Sequence, residues 1–116
     1  YSATKFGVRA LTESLDAEWF QDGIKVADLM PGFIDTPLID MAPNAGTNSG
    51  IREQVVAAGL EITPVSAVGD AAWAAVNGTA LHTYVGKTAR RGAFAARWMP
   101  GSMRRFNRKR VRPLAK

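Results

Sequence analysis

Tyr1 and Lys5 stand four residues apart in the stretch YSATKFG. On a helix that spacing puts both side chains on one face, one turn apart. A phenol at its reference pKa of about 10 is a poor base at neutral pH. An ammonium close by favours the phenolate, so the pair can exchange a proton near physiological pH. Such a pair suits general acid/base work on an alcohol or carbonyl oxygen. The same spacing equally describes a solvated, exposed helix turn, and spacing alone favours that plainer reading.

A second group of residues, PGFIDTP, follows an apolar run. Ligands of open α/β sheets bind just beyond the C-terminal ends of the strands. Pro31 and Gly32 turn the chain at such a place, and glycine lets a ligand approach the backbone closely. Ile34 then offers main-chain N–H and C=O groups, and Thr36 a hydroxyl. A strand-ending turn in which Asp35 or Thr36 caps the next helical turn accounts for the same residues equally well.

The elements that must position these groups are legible from pattern. Leu11, Leu15 and Trp19 fall at i, i+4 and i+8, with Val8 one turn earlier, which predicts an amphipathic helix from Tyr1 to about Asp22, stopped by Gly23. IKVADLM, closed by Pro31-Gly32, reads as a strand buried on both faces in a parallel sheet. Asp28 inside it needs a partner or an exit to solvent. From Pro31 to Gly50 the chain reads as a long loop with a helical turn near Pro37 to Met41, and loops of this length are often lids or binding loops. A short helix is expected from Ile51 to about Leu60. Another follows, with Thr63 as its N-cap and Pro64 at its first position, and ends at Asn77-Gly78. HTYVG is a second strand candidate, and the remainder is helical in two pieces broken at Pro100-Gly101.

This alternation indicates an α/β chain with a parallel sheet. Two strands cannot complete such a sheet, so the expected architecture is the C-terminal part of a doubly wound, three-layer α/β/α fold. On this reading residues 1–86 carry the α/β alternation and 87–116 form a basic helical tail.

Composition narrows the classes further. There is no Cys and a single His, His82, so thiol nucleophiles, disulfides and Cys-based metal sites are excluded and no metal site is expected. The net charge of +5 hides an asymmetry: 87–116 holds eleven Lys and Arg and no acid, whereas 1–86 holds four basic and ten acidic residues. No run approaches the length of a membrane span, and a cytoplasmic location is the default expectation.

In order and separation, YSATKFGVRALTESLDAEW followed by GIKVADLMPGFIDTP resembles the C-terminal half of a short-chain dehydrogenase/reductase. The resemblance runs from Tyr1 to about Gly86 and is strongest up to Leu38. It implies a Rossmann-like fold and an NAD- or NADP-dependent interconversion of an alcohol and a ketone or aldehyde. Tyr1 would be the general acid/base, and Lys5 would hydrogen-bond the nicotinamide ribose and favour the Tyr1 phenolate. Pro31, Gly32, Ile34 and Thr36 would border the nicotinamide, and the loop at about 38–50 would cover a small-molecule alcohol or carbonyl substrate. The first helix would supply part of a homo-oligomer interface.

The sequence lacks the Gly-rich pyrophosphate turn and the catalytic Ser and relay Asn that the family carries upstream of its Tyr. The chain is therefore expected to be a fragment, inactive alone. RRFNRKRVR, with aromatics at 94, 98 and 106, suits either weak attachment to a membrane surface or a solvated helix packed on the acidic body or on a second subunit. With no recognition-helix pattern, nucleic acid is not an expected partner. The competing function is a non-catalytic binding module that associates with membrane surfaces through this tail.

Overall fold

The computed structural model describes residues 1–41 and 50–110, with side chains to residue 108. Helix α1 (Ser2–Trp19) forms over the predicted stretch and tightens into a 3₁₀ turn (Phe20–Asp22). Its inward face is set by Thr12, which is buried and donates its hydroxyl to the Val8 carbonyl, 3.0 Å away. Gly23 ends the helix with φ 70°, and the Ile24 amide reaches back to the Trp19 carbonyl at 3.3 Å. A left-handed residue here favours glycine because it lacks a Cβ.

Four strands follow among the described residues: β1 (Asp28–Pro31), β2 (Phe33–Ile34), β3 (Ile62–Thr63) and β4 (His82–Val85). They make two separate parallel pairs. β1 lies against β4 in the register Asp28–His82, Leu29–Thr83, Met30–Tyr84 and Pro31–Val85, while β2 lies against β3 as Phe33–Ile62 and Ile34–Thr63. Between β1 and β2 the chain changes partner at Gly32, whose amide still bonds the Val85 carbonyl at 3.2 Å. Three residues on, the Asp35 amide bonds Thr63 O at 2.9 Å.

The helices α2 (Ile51–Ala57), α3 (Val65–Asn77), α4 (Lys87–Trp98) and α5 (Pro100–Arg110) complete the order. α3 packs on β1 and β4, and α4 packs on β4 and α5. Lys25 finishes α3. Its ammonium donates to the carbonyls of Ala75 at 2.6 Å, Val76 at 3.2 Å, and Gly78. A cation among the last carbonyls satisfies orphan acceptors and opposes the helix dipole.

Several boundaries differ from expectation. The strand predicted at 24–30 begins at Asp28, because the partner strand begins at His82 and the preceding residues have nothing to pair with. Phe33–Ile34 and Ile62–Thr63, read as loop and helix cap, are short strands. Thr63 is thus a buried strand residue, Pro64 takes the N-cap position, and α3 starts at Val65. The tail breaks at Met99, with Pro100 opening α5. Most of the predicted substrate loop, residues 42–49, lies outside the described residues.

The described residues thus form a mostly helical α/β chain with small parallel sheets. That arrangement is compatible with part of a Rossmann-like fold, and a complete three-layer sheet is not formed by these residues. Its enclosed apolar side chains are Ile39, Val55, Ala75 and Val85, whereas Phe6, Phe20 and Trp73 are each about three-quarters exposed, at 74%, 76% and 74%.

Candidate active site

α1 presents Tyr1 at its N-cap position, and the first helical hydrogen bond joins the Lys5 amide to the Tyr1 carbonyl at 3.1 Å. One turn on, the Lys5 ammonium lies 5.4 Å from the centre of the Tyr1 ring, within cation–π range. Lys5 makes no ion pair among the described residues. Tyr1 is 92% exposed, so its phenol stands open on one side.

Two adjoining hollows meet at Tyr1 and Gly32. The first, about 390 Å³, is bordered by Tyr1, Lys5, Met30, Pro31 and Gly32. The second, about 530 Å³, is bordered by Tyr1, Gly32, Ile34, Thr36, Leu38 and Ile51. The six residues singled out in the sequence therefore line these two neighbouring hollows, Tyr1 and Lys5 from α1 and the other four from the end of β1 and the β2 segment.

The turn chemistry of this segment bears on which of its two readings holds. Thr36 occupies the N-cap position of a 3₁₀ turn (Pro37–Asp40), but its side chain makes no capping bond. Its hydroxyl reaches only the Ile34 carbonyl, at a long 3.5 Å. Asp35 does not cap either; its carboxylate is held by Arg52 at 2.6 Å. Gly32 adopts no left-handed conformation, and a Cβ there would meet Ala89 and Thr88 at ordinary distances of 3.5–3.8 Å. Neither the backbone nor the packing behind it requires glycine.

Two groups outside the lining of both hollows escaped the sequence reading. Arg52 of α2 joins Asp35 at 2.6 Å to Asp40 at 2.5 and 3.0 Å. The hydrogen bonds from Arg52 hold the Asp40 carboxyl below its usual range, and the two carboxylates in turn raise the guanidinium. The arginine thereby ties the Thr36 segment to the helix beyond residues 42–49. No periodicity links residues 12 and 17 apart in sequence, so only the paired acids around Thr36-Pro37 hinted at a cation.

The other is His82. Its Nδ1 lies 3.0 Å from both carboxylate oxygens of Asp28, and its Nε2 lies 3.0 Å from Glu13. Glu13 is also bonded by Arg9 Nε at 3.0 Å, and Arg9 first, then His82, lowers the Glu13 carboxyl. Tyr1, Lys5, Arg9 and Glu13 recur every four residues along α1, so one stripe runs from the phenol to the imidazole. Asp28, whose side chain is 10% exposed, here has the partner its place in a strand demands. The signal lay in the two strand candidates, each carrying one of these residues.

Comparison with known proteins bears on the same segment. The family model described as short chain dehydrogenase matches residues 1–46. An uncharacterized oxidoreductase of Staphylococcus epidermidis is 39% identical over 57 residues, 49% of this chain and 23% of that protein. An uncharacterized oxidoreductase of Bacillus subtilis is 39% identical over 70 residues, 60% of this chain and 25% of that protein. A 3-alpha-(or 20-beta)-hydroxysteroid dehydrogenase of Mycobacterium bovis is 46% identical over 43 residues, 37% of this chain and 16% of that protein. The matched segments thus cover a quarter or less of these relatives' lengths. No solved structure is a significant match. Tyr1, Lys5, Pro31, Gly32, Ile34 and Thr36 all fall within the matched 1–46, and over that segment the chain is similar to the short-chain dehydrogenases.

Proposed function

We propose that the protein is an NAD- or NADP-dependent oxidoreductase interconverting an alcohol and a ketone or aldehyde, built on a doubly wound Rossmann-like fold of which these residues form the C-terminal part. The observation carrying this reading is that Tyr1, backed by Lys5 one turn away, opens on the same hollow as Gly32, Ile34 and Thr36. General oxidoreductase character is supported independently by the family match and by the relatives' names.

The residues fit the nicotinamide end of a dinucleotide. Thr36 keeps a hydroxyl that no cap uses, Lys5 keeps an ammonium without an ion pair among the described residues, and Gly32 borders both hollows. Lys5 would hold the ribose hydroxyls; Ile34 main chain and Thr36 would hold the carboxamide; Pro31 and Gly32 would bound the ring. The bound dinucleotide supplies or accepts the hydride. Tyr1 supplies the proton: in reduction its O–H bond breaks as the substrate oxygen takes the proton, and in oxidation the phenolate takes it back. The Lys5 ammonium stabilises the phenolate left behind.

The test is Tyr1→Phe in the natural full-length protein, with any residues beyond this sequence present. Turnover is expected to fall by roughly 10²-fold or more, the span attributed to general acid/base groups, with dinucleotide binding retained. Unchanged turnover would remove Tyr1 from the mechanism.

A further inference from the structure

The outward side of α4 carries an arrangement that the oxidoreductase reading does not use. Thr88, Ala89, Gly92 and Ala93 are its half-buried side, and small residues there let the helix lie close to β4. Lys87, Arg91, Phe94 and Trp98, spaced four, three and four apart, share the opposite side. Phe94 is 61% and Trp98 66% exposed, and the Arg97 guanidinium sits 5.7 Å from the Trp98 ring. Arg90 flanks the same side but is tethered to the Tyr84 carbonyl at 3.3 Å. Two neighbouring aromatics in water, with cations around them and no acidic residue anywhere in 87–116, are costly to leave uncovered.

We infer that this face of α4 docks on an anionic phospholipid surface, with Phe94 and Trp98 seated at the headgroup level and Lys87, Arg91 and Arg97 meeting lipid phosphates. Charge selects that occupant. The charged residues of 87–116 are all basic, while 1–86 carries an excess of acid and is repelled by the same surface, so contact is made by this end. Chemistry selects it too, because indole and phenyl rings beside basic residues are what an interfacial helix buries. Among the described residues no helix is long and apolar enough to cross a membrane, so the contact is peripheral. The inference is independent of Tyr1 and stands or falls separately from the oxidoreductase reading.

The experiment is co-sedimentation of the natural full-length protein with vesicles of phosphatidylcholine alone and of phosphatidylcholine mixed with phosphatidylglycerol. Binding to the anionic vesicles is expected to be roughly tenfold or more tighter, and Phe94→Ala/Trp98→Ala to weaken it by roughly tenfold. As a milder probe, brominated lipid should quench tryptophan fluorescence in the parent and lose most of that quenching in Trp98→Phe. Absence of binding to anionic vesicles overturns the proposal. So does binding unchanged by the double substitution, or a dimer that the double substitution turns into monomer, which would assign the face to a second copy. Retained vesicle binding that duplex DNA displaces, with no lipid quenching of Trp98, overturns it as well.

Discussion

Asp28 and His82 face each other across the β1–β4 ladder, with the imidazole Nδ1 3.0 Å from each carboxylate oxygen. The pair is mostly enclosed, with side-chain exposures of 10% and 14%, and the far ring nitrogen meets Glu13 of α1. One imidazole therefore pins a helix to two strands. His82→Phe leaves a buried carboxylate without a partner and is expected to destabilise by about 1–3 kcal/mol. His82→Phe combined with Asp28→Leu should recover much of that loss, since removing both members of a buried polar pair is cheaper than removing one. Chemical denaturation of the four members of this cycle measures the coupling; strictly additive effects would dissolve the pair as a unit.

Acid should loosen the same corner. The Glu13 carboxyl is lowered by Arg9 and then by His82, so its contribution is complete above the ordinary carboxylate pKa and disappears as pH falls through its folded value. Glu13→Gln should therefore be less stable than the parent at neutral pH, with the difference closing below the ordinary carboxylate range of about pH 4.3. Thermal midpoints of the two proteins from pH 7 to 3 give the comparison. A gap that stays constant across this range would contradict the lowered carboxyl.

Arg52 is expected to act as a positioning residue. Without it, Asp35 and Asp40 lose the guanidinium they share and the Thr36 segment loses its tie to α2. On the proposed oxidoreductase reading, Arg52→Gln in the natural full-length protein should reduce kcat/KM on the order of tenfold, mostly through the KM for dinucleotide. Arg52→Lys should rescue only part, because an ammonium cannot reproduce the forked contacts. Steady-state kinetics decide it: a fall confined to kcat, with dinucleotide KM unchanged, would place the effect elsewhere.

Gly86 joins β4 to α4 with φ 87°, and a Cβ there would fall 2.5 Å from Thr63 Oγ1. Gly86→Ala should destabilise by about 1–3 kcal/mol through the left-handed backbone and the clash together. In a Thr63→Ala background the contact with Oγ1 is removed, while Glu61 Oε2 at 3.3 Å and the backbone strain remain, so the penalty should shrink without vanishing. Urea midpoints for both backgrounds separate the two contributions.

Lys25→Met removes the ammonium that donates to the closing carbonyls of α3. The expected loss is about 0.3–1 kcal/mol, the range for a cation at an exposed helix C-terminus, and high salt should diminish it. Hydrogen exchange at residues 74–77 should quicken in the variant; unchanged protection there would mean that α3 ends without help.

Where the sequence was legible, it was through period and punctuation. The recurrence of Leu11, Leu15 and Trp19 and the stop at Gly23 mark α1 well, and Pro31-Gly32 marks the end of β1. The start of β1 was hidden because IKVADLM is apolar throughout and only its partner, beginning at His82, decides where pairing starts. Two-residue strands such as Phe33–Ile34 carry no periodicity at all, and a Thr-Pro step reads equally as a strand end or a helix cap. The six residues that line the two hollows were singled out by the Tyr1–Lys5 spacing and by the Pro-Gly turn that closes an apolar run. Arg52 and the link from His82 to Asp28 were not, since long-range ion pairs leave no local trace.

Ala89 and Thr88, in the first turn of α4, lie 3.5–3.8 Å from where a Cβ on Gly32 would stand, and Gly32 borders both hollows beside Tyr1. The same helix, three turns long, carries Phe94 and Trp98 at its far end. A helix of this length behaves as a strut. Force applied at its outer end is delivered to the turn beside Tyr1 with no flexible segment between, and the fit of the hollow is tied to whatever the strut leans on.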